Sequence, residues 1–184
     1  NVYSRYANPN TDELVRKLCL LEGGADGIAT ASGMSAVFVA LASRLSSGDH
    51  VVASRALFGS THQLFTRVLP KWGVATTYVD ASDHDAYAQS LRANTKMVFV
   101  ETPSNPGLEL IDLQWLGQFC RAHALDLLVD NCFATPYLQR PLEHGADAVV
   151  HSTTKYLGGH SDVVGGLVAV NDDEWAEQLF FIRN

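Results

Sequence analysis

Leu125-Asp126-Leu127-Leu128-Val129-Asp130-Asn131-Cys132-Phe133 is the stretch that decides the fold. Its apolar run is the length of a strand, shows little polar alternation, and gives way at once to polar groups. A strand of this kind is covered on both faces, as in a mostly parallel sheet. The same pattern recurs. Gly27–Thr30, His50–Ser54, Ala75–Asp80, Lys96–Glu101, Leu125–Asp130, Ala148–His151 and Leu167–Val170 are the predicted strands. Helical patterns fill the gaps. Met34, Val37, Phe38, Leu41 and Leu45 make one apolar stripe, and Leu113, Leu116, Phe119 and Cys120 make another. Asp112 stands where an N-cap is expected, and Asp83 does so for a helix running to Leu91. Strand–helix–strand alternation implies right-handed crossovers and a doubly wound, three-layer α/β/α fold with a mostly parallel sheet.

Composition agrees with one such domain. The chain has 184 residues, 47% of them hydrophobic and 18% charged, enough apolar mass for a substantial core. Thirteen Lys and Arg against 20 Asp and Glu leave a formal charge of −7. No basic cluster is present to neutralise a phosphate backbone, so nucleic acid is not an expected partner. The longest apolar stretches, such as 163–170, are strand-length, so no membrane span is expected. Three cysteines cannot all pair, no C-x-x-C is present, and no signal peptide stands out, so the expected location is cytoplasmic. The seven histidines are scattered, and no metal is expected. The chain opens on Asn1 without an initiator Met and stops at Asn184 just after a helical pattern, so a longer polypeptide is expected.

In doubly wound sheets, ligands sit beyond the carboxyl ends of the strands. Five strand ends carry groups suited to chemistry: Ser32-Gly33-Met34, Leu57-Phe58-Gly59-Ser60-Thr61, Glu101-Thr102-Pro103-Ser104-Asn105-Pro106, Asp130-Asn131-Cys132-Phe133 and His151-Ser152-Thr153-Thr154-Lys155. Singly, each has a plain structural explanation: a cap, a turn, a packed ring or a solvated charge. Together they meet the needs of pyridoxal 5'-phosphate, which takes a lysine for its imine, an acid for its pyridine nitrogen and an anion seat for its phosphate. Lys155 supplies the amine and Asp130 the acid. Ser32, Gly33 and Met34 offer amides at a helix N-terminus. Ser152 and Thr154 add hydroxyls, on one side if the backbone there is extended. Phe58 can stack on the ring.

With these residues in hand, the chain resembles the Cys/Met-metabolism (trans-sulfuration) branch of the fold-type-I pyridoxal-phosphate enzymes. The matching segments are Tyr3-Ser4-Arg5-Tyr6-Ala7-Asn8-Pro9, Ala31–Met34, Glu101–Pro106, Val129–Asn131 and 151–156, in order and spacing over nearly the whole chain. The resemblance implies Lys155 as the Schiff-base lysine and Asp130 as the acid on the pyridine nitrogen. It implies Ser32, Gly33, Met34, Ser152 and Thr154 as phosphate contacts. Asn105 would lie near the cofactor's phenolic oxygen and the substrate carboxylate. Tyr3 and Arg5 would grip the phosphate of a neighbouring subunit, a role that suits a bidentate guanidinium. Lys155, Asp130, Phe58 and Tyr3 form the implied catalytic set. The resemblance further implies a homo-oligomer, a dimer of dimers, and a small amino acid as substrate. Residues 1–15 would be part of an arm reaching the neighbouring subunit and residues 16–184 the cofactor-binding large domain. A C-terminal small domain would lie outside this chain.

Departures from the family pattern narrow the activity. Most members carry Tyr where this chain has Phe58, which stacks but has no hydroxyl. Leu57–Thr61 and Val129–Phe133 resemble the O-succinylhomoserine sulfhydrylases. Gly158–Gly166 is more similar to cystathionine γ-synthases, cystathionine γ-lyases and methionine γ-lyases, although methionine γ-lyases tend to carry Cys at Ser60. The expected reaction is γ-replacement on an activated homoserine ester with sulfide or a thiol. The alternatives are the synthase and lyase activities just named, or an inactive cofactor-binding fragment. No G-x-G-x-x-G follows the first strand and no G-x-S-x-G frames Ser32, which disfavours a nicotinamide oxidoreductase and a serine hydrolase.

Overall fold

In a computed structural model, residues 3–184 are described. Asn1 and Val2, the first two residues of the expected arm, lie outside them. Seven strands form one sheet: β1 Asp26–Thr30, β2 His50–Ser54, β3 Ala75–Val79, β4 Thr95–Glu101, β5 Asp126–Asp130, β6 Ala148–Ser152 and β7 Gly166–Val170. Their order across the sheet is β1-β7-β6-β5-β4-β2-β3. The pairings from β3 through β6 are parallel, and β7 runs antiparallel to both β1 and β6. Six strands therefore point the same way, and their carboxyl ends share one edge. All seven predicted strands are present, with bounds within one residue. Of the apolar stretch 163–170, only Gly166–Val170 is strand.

The helices are α1 Pro9–Glu22, α2 Gly33–Ala42, α3 Gly59–Gln63, α4 His84–Gln89, α5 Leu113–Ala122, α6 Thr135–Leu138 and α7 Asp173–Arg183. The caps follow from side-chain chemistry. Asp83 accepts from Ala86 N–H at 3.0 Å and Asp112 from Trp115 N–H at 2.9 Å, each relieving an amide with no intrahelical partner. α4 stops at Gln89, short of the expected Leu91. α2 stops at Ala42, and Leu45 packs against the core from the following turn. The arm boundary expected at residue 15 falls inside α1.

Strand alternation separates the core into two layers. Leu128, Ala148, Val150 and Val168 face α2 and α7, packing with Val37, Ala40, Trp175 and Leu179. Leu127, Val129, Val149, Leu167 and Ala169 face α1, α4 and α5, packing with Leu18, Tyr87, Leu116 and Cys120. β2 is buried at every position and β4 at all but Lys96, as the unbroken apolar runs require. The three cysteines are free and buried. Among the described residues, no helix is long and apolar enough to cross a membrane.

Candidate functional site

At the carboxyl edge, a cavity of about 200 Å3 is lined by residues from all five of the strand ends read from the sequence. Ser32, Gly33 and Met34 enter from β1 and α2, Phe58 from the loop after β2, Glu101 and Asn105 from β4. Asp130, Cys132 and Phe133 enter from β5, and Ser152, Thr154 and Lys155 from β6. Lys155 and Thr154 also line an outer depression with Tyr156, Asp162, Val163 and Val164, so the lysine spans the passage from cavity to surface.

The anion seat is built by the start of α2. The Ser32 hydroxyl caps the helix by accepting from Ser35 N–H at 3.1 Å. This leaves the Gly33 and Met34 amides, which have no intrahelical partner, at the positive end of the helix. Gly33 is needed for close approach: a Cβ there would meet Ser152 Cβ at 2.5 Å and Oγ at 2.8 Å. The Ser152 hydroxyl therefore lies against the helix start. Thr154 sits in the turn after β6, so the extended backbone that would put it on the side of Ser152 by alternation is not what places it. The turn still brings its side chain to the cavity. Its hydroxyl accepts from Gly165 N–H at 3.3 Å and donates to the Gly165 carbonyl at 3.5 Å, a long bond that a phosphate oxygen can replace as acceptor.

The acidic side is double. Asp130 and Glu101 face each other in the parallel register of β4 and β5. Asp130 Oδ1 accepts from Cys132 N–H at 3.0 Å; its other oxygen receives no donor from the described residues. Burial pushes the Asp130 carboxyl above the usual range, against the pull of the Cys132 amide and of His151. Glu101 is 4% exposed. Burial and the neighbouring Asp130 raise its carboxyl well above the usual range, although two amides oppose them. Those amides are Phe58 N–H, donating to Oε2 at 2.6 Å, and Asn105 N–H, donating to Oε1 at 3.0 Å. Glu101 thus ties the loop that carries Phe58 to the loop that carries Asn105. Its role was missed from the sequence, where it is merely the last strand residue before a Thr-Pro turn. The strand-end position was the available signal.

Two residues singled out in the sequence are not brought to this cavity. Tyr3 is 57% exposed, and the Arg5 guanidinium stacks over the Tyr3 and Tyr6 rings at 5.3 and 5.9 Å from their centroids. Among the described residues, no group of three or more His, Cys, Asp or Glu gathers as a metal site would need.

The donor set fits pyridoxal 5'-phosphate. A protonated ring nitrogen matches a half-buried carboxyl with an unfilled oxygen. A phosphate dianion matches two helix-start amides and two hydroxyls, and among the described residues Lys155 offers the only amine lining the cavity. Comparison with known proteins points the same way. The family described as Cys/Met metabolism PLP-dependent enzyme matches residues 1–184. The chain is 45% identical over 183 residues to the O-succinylhomoserine sulfhydrylase of Pseudomonas aeruginosa, covering 100% of this chain and 45% of that protein. It is 45% identical over 182 residues to the cystathionine gamma-lyase of Bacillus subtilis, covering 99% and 48%. Its structure superposes on a cystathionine gamma-lyase from Lactobacillus plantarum, complexed with L-serine, with a TM-score of 0.95 and 38% identity. That match covers 98% of this chain and 47% of the other. The chain spans about half the length of the curated relatives it matches.

Proposed function

Because this chain belongs to the Cys/Met metabolism PLP-dependent enzyme family, we propose that it is the cofactor-binding large domain of an enzyme of γ-replacement. The substrate is an activated homoserine ester, O-succinyl- or O-acetylhomoserine, and the second reactant is sulfide or a thiol. The observation that carries this reading is the convergence of Lys155, Asp130 and the Ser32–Met34, Ser152 and Thr154 cradle on one cavity. Bound pyridoxal 5'-phosphate supplies an electron sink for charge developing at the substrate's α-carbon.

The residues divide the work. Lys155 would hold the cofactor through its amine and, when free of it, would move the proton at the substrate's α-carbon. Asp130 keeps the ring nitrogen protonated. Gly33 and Met34 amides with the Ser152 and Thr154 hydroxyls hold the phosphate. Phe58, 39% exposed, stacks on the ring and carries no proton. Asn105 orients the phenolic oxygen and the substrate carboxylate. Tyr3 and Arg5 line no part of their own chain's cavity, which supports their reaching the phosphate of a neighbouring copy in a cytoplasmic homo-oligomer, a dimer of dimers. The rest of the substrate's positioning, beyond what Asn105 supplies, falls to a C-terminal small domain.

The test is direct. The parent protein should be yellow and its chromophore reducible by borohydride, and Lys155→Ala should lose both properties. Retention of a reducible chromophore in the variant refutes the assignment. Elimination is the second reading, supported by the similarity of Gly158–Gly166 to the lyases and by the cystathionine gamma-lyase of Bacillus subtilis. Keto acid released without added thiol favours a lyase. Keto acid suppressed by thiol, with a new amino acid formed, favours replacement. Lack of both products with cofactor bound would leave a cofactor-binding fragment.

A further inference from the structure

Behind the cavity, on the opposite face of the sheet, lies a polar cluster that the proposed chemistry does not use. Asp130 and Ser152 line the cavity, so alternation turns their chain neighbours Asn131 and His151 toward α1. Glu22, the last residue of α1, reaches beneath them. Its Oε1 accepts from Asn131 Nδ2 at 3.0 Å and lies 2.5 Å from His151 Nε2. Asn131 Nδ2 also donates to the Gln139 carbonyl at 2.9 Å. Gln139 Nε2 donates to Asn131 Oδ1 at 2.9 Å and to the Thr102 carbonyl at 2.8 Å. The Glu22 and His151 side chains are both 0% exposed.

Stability does not account for this cluster. Two ionisable groups taken wholly out of water carry a desolvation cost that apolar side chains of the same size avoid. Glu22 Oε2 and His151 Nδ1 are buried without any partner, so the cost is not even fully offset. The cluster does join three strand ends. Thr102, Asn131 and His151 are the immediate chain neighbours of Glu101, Asp130 and Ser152, all on the cavity side.

We propose that Glu22 is a positioning residue for the cofactor, holding the ends of β5 and β6 through Asn131 and His151 so that Asp130 and Ser152 meet the ring nitrogen and the phosphate together. The inference rests on the reading of Asp130 and Ser152 as cofactor contacts. Glu22→Gln keeps the size and one acceptor oxygen and removes the charge. In the native-length protein it should weaken pyridoxal-phosphate affinity about tenfold, the worth of one charged hydrogen bond. It should also alter the visible circular dichroism of the bound cofactor, which reports ring orientation. Glu13→Gln, exposed on the same helix, should change neither. Asn131→Ala cuts the link from Glu22 to β5 together with the two bonds to Gln139 and leaves the Glu22–His151 contact in place; it should shift both readouts in the same direction, and decides the matter if Glu22→Gln fails to fold. Parent-like affinity and dichroism in the folded variants overturn the proposal, even if they unfold at lower temperature, because the cluster is then only structural. Asp130→Asn, run alongside, separates the two readings. If it too leaves affinity and dichroism unchanged, the placing of the ring nitrogen falls and takes this inference with it. A loss in Asp130→Asn with none in Glu22→Gln overturns this inference alone.

Discussion

Replacing Asp130 by Asn should stabilise the cofactor-free protein near neutral pH while removing tight cofactor binding. Burial lifts the Asp130 carboxyl from its ordinary 3.8 to about 6, and the Cys132 amide and His151 oppose that lift. A raised carboxyl pKa means that the unfolded chain ionises first. Below 3.8 both states hold the proton and no penalty exists. Between 3.8 and about 6 the unfolded chain gives up a proton that the folded one keeps, so stability falls as pH rises. Above that window the loss is complete and constant. Asp130 is only part-buried and titrates together with Glu101, so at roughly 1.4 kcal/mol per pH unit the span is worth at most about 3 kcal/mol. Asn cannot ionise. Its Oδ1 can still accept from Cys132 N–H, and its amide nitrogen takes the place of an oxygen without a protein donor. Glu101, opposite in register, is relieved of a neighbouring charge as well. For a chain of this length, about 3 kcal/mol corresponds to a rise of roughly 6–12 °C in unfolding midpoint. The assay is thermal unfolding of parent and variant, stripped of cofactor, across the pH range from acid to neutral. The midpoints should coincide in acid and diverge toward neutrality. A variant no more stable than its parent at neutral pH would refute the picture of a half-buried carboxyl waiting for a cation.

Three further outcomes follow from the same geometry. Gly33→Ala places a methyl group 2.5 Å from Ser152 Cβ; the overpacking should cost about 1–3 kcal/mol in thermal unfolding and weaken phosphate affinity in a titration with inorganic phosphate or cofactor. Phe58→Ala should leave the unfolding midpoint of the cofactor-free protein almost unchanged, because the ring is already 39% exposed. It should nevertheless weaken cofactor binding measurably by fluorescence titration, through the lost stacking. Leu127→Ala empties a fully buried position in the layer beneath α1 and α5 and should cost about 2–5 kcal/mol in urea unfolding, with no change in the chromophore of the folded fraction.

Much of the fold was legible because burial of both sheet faces writes itself into consecutive residues. The centres of β2 (Val51–Ala53) and β5 (Leu127–Val129) are continuous apolar runs for that reason, and Asp83 and Asp112 betray helix starts because a short acid can cap only its own neighbours. α1 was not legible: Leu14, Leu20 and Leu21 are exposed on it and blur the helical period. The helical segment 59–72 was missed as well. It passes from an α turn through a π turn into a 3-10 turn and so keeps no single repeat.

Most of the residues that line the cavity could be named from the sequence, since they stand at or just after strand ends and the carboxyl ends of like-directed strands must share an edge; Val37 and Thr61 reach it from helices. Only the tertiary structure decided that β7 enters in reverse between β1 and β6, and that Glu101 bridges two loops. It alone joined Glu22 to His151, 129 positions apart. Local pattern records which side of an element is dry. Which distant group meets another there is settled by packing, where a buried charge is held only by partners that the chain has carried to it.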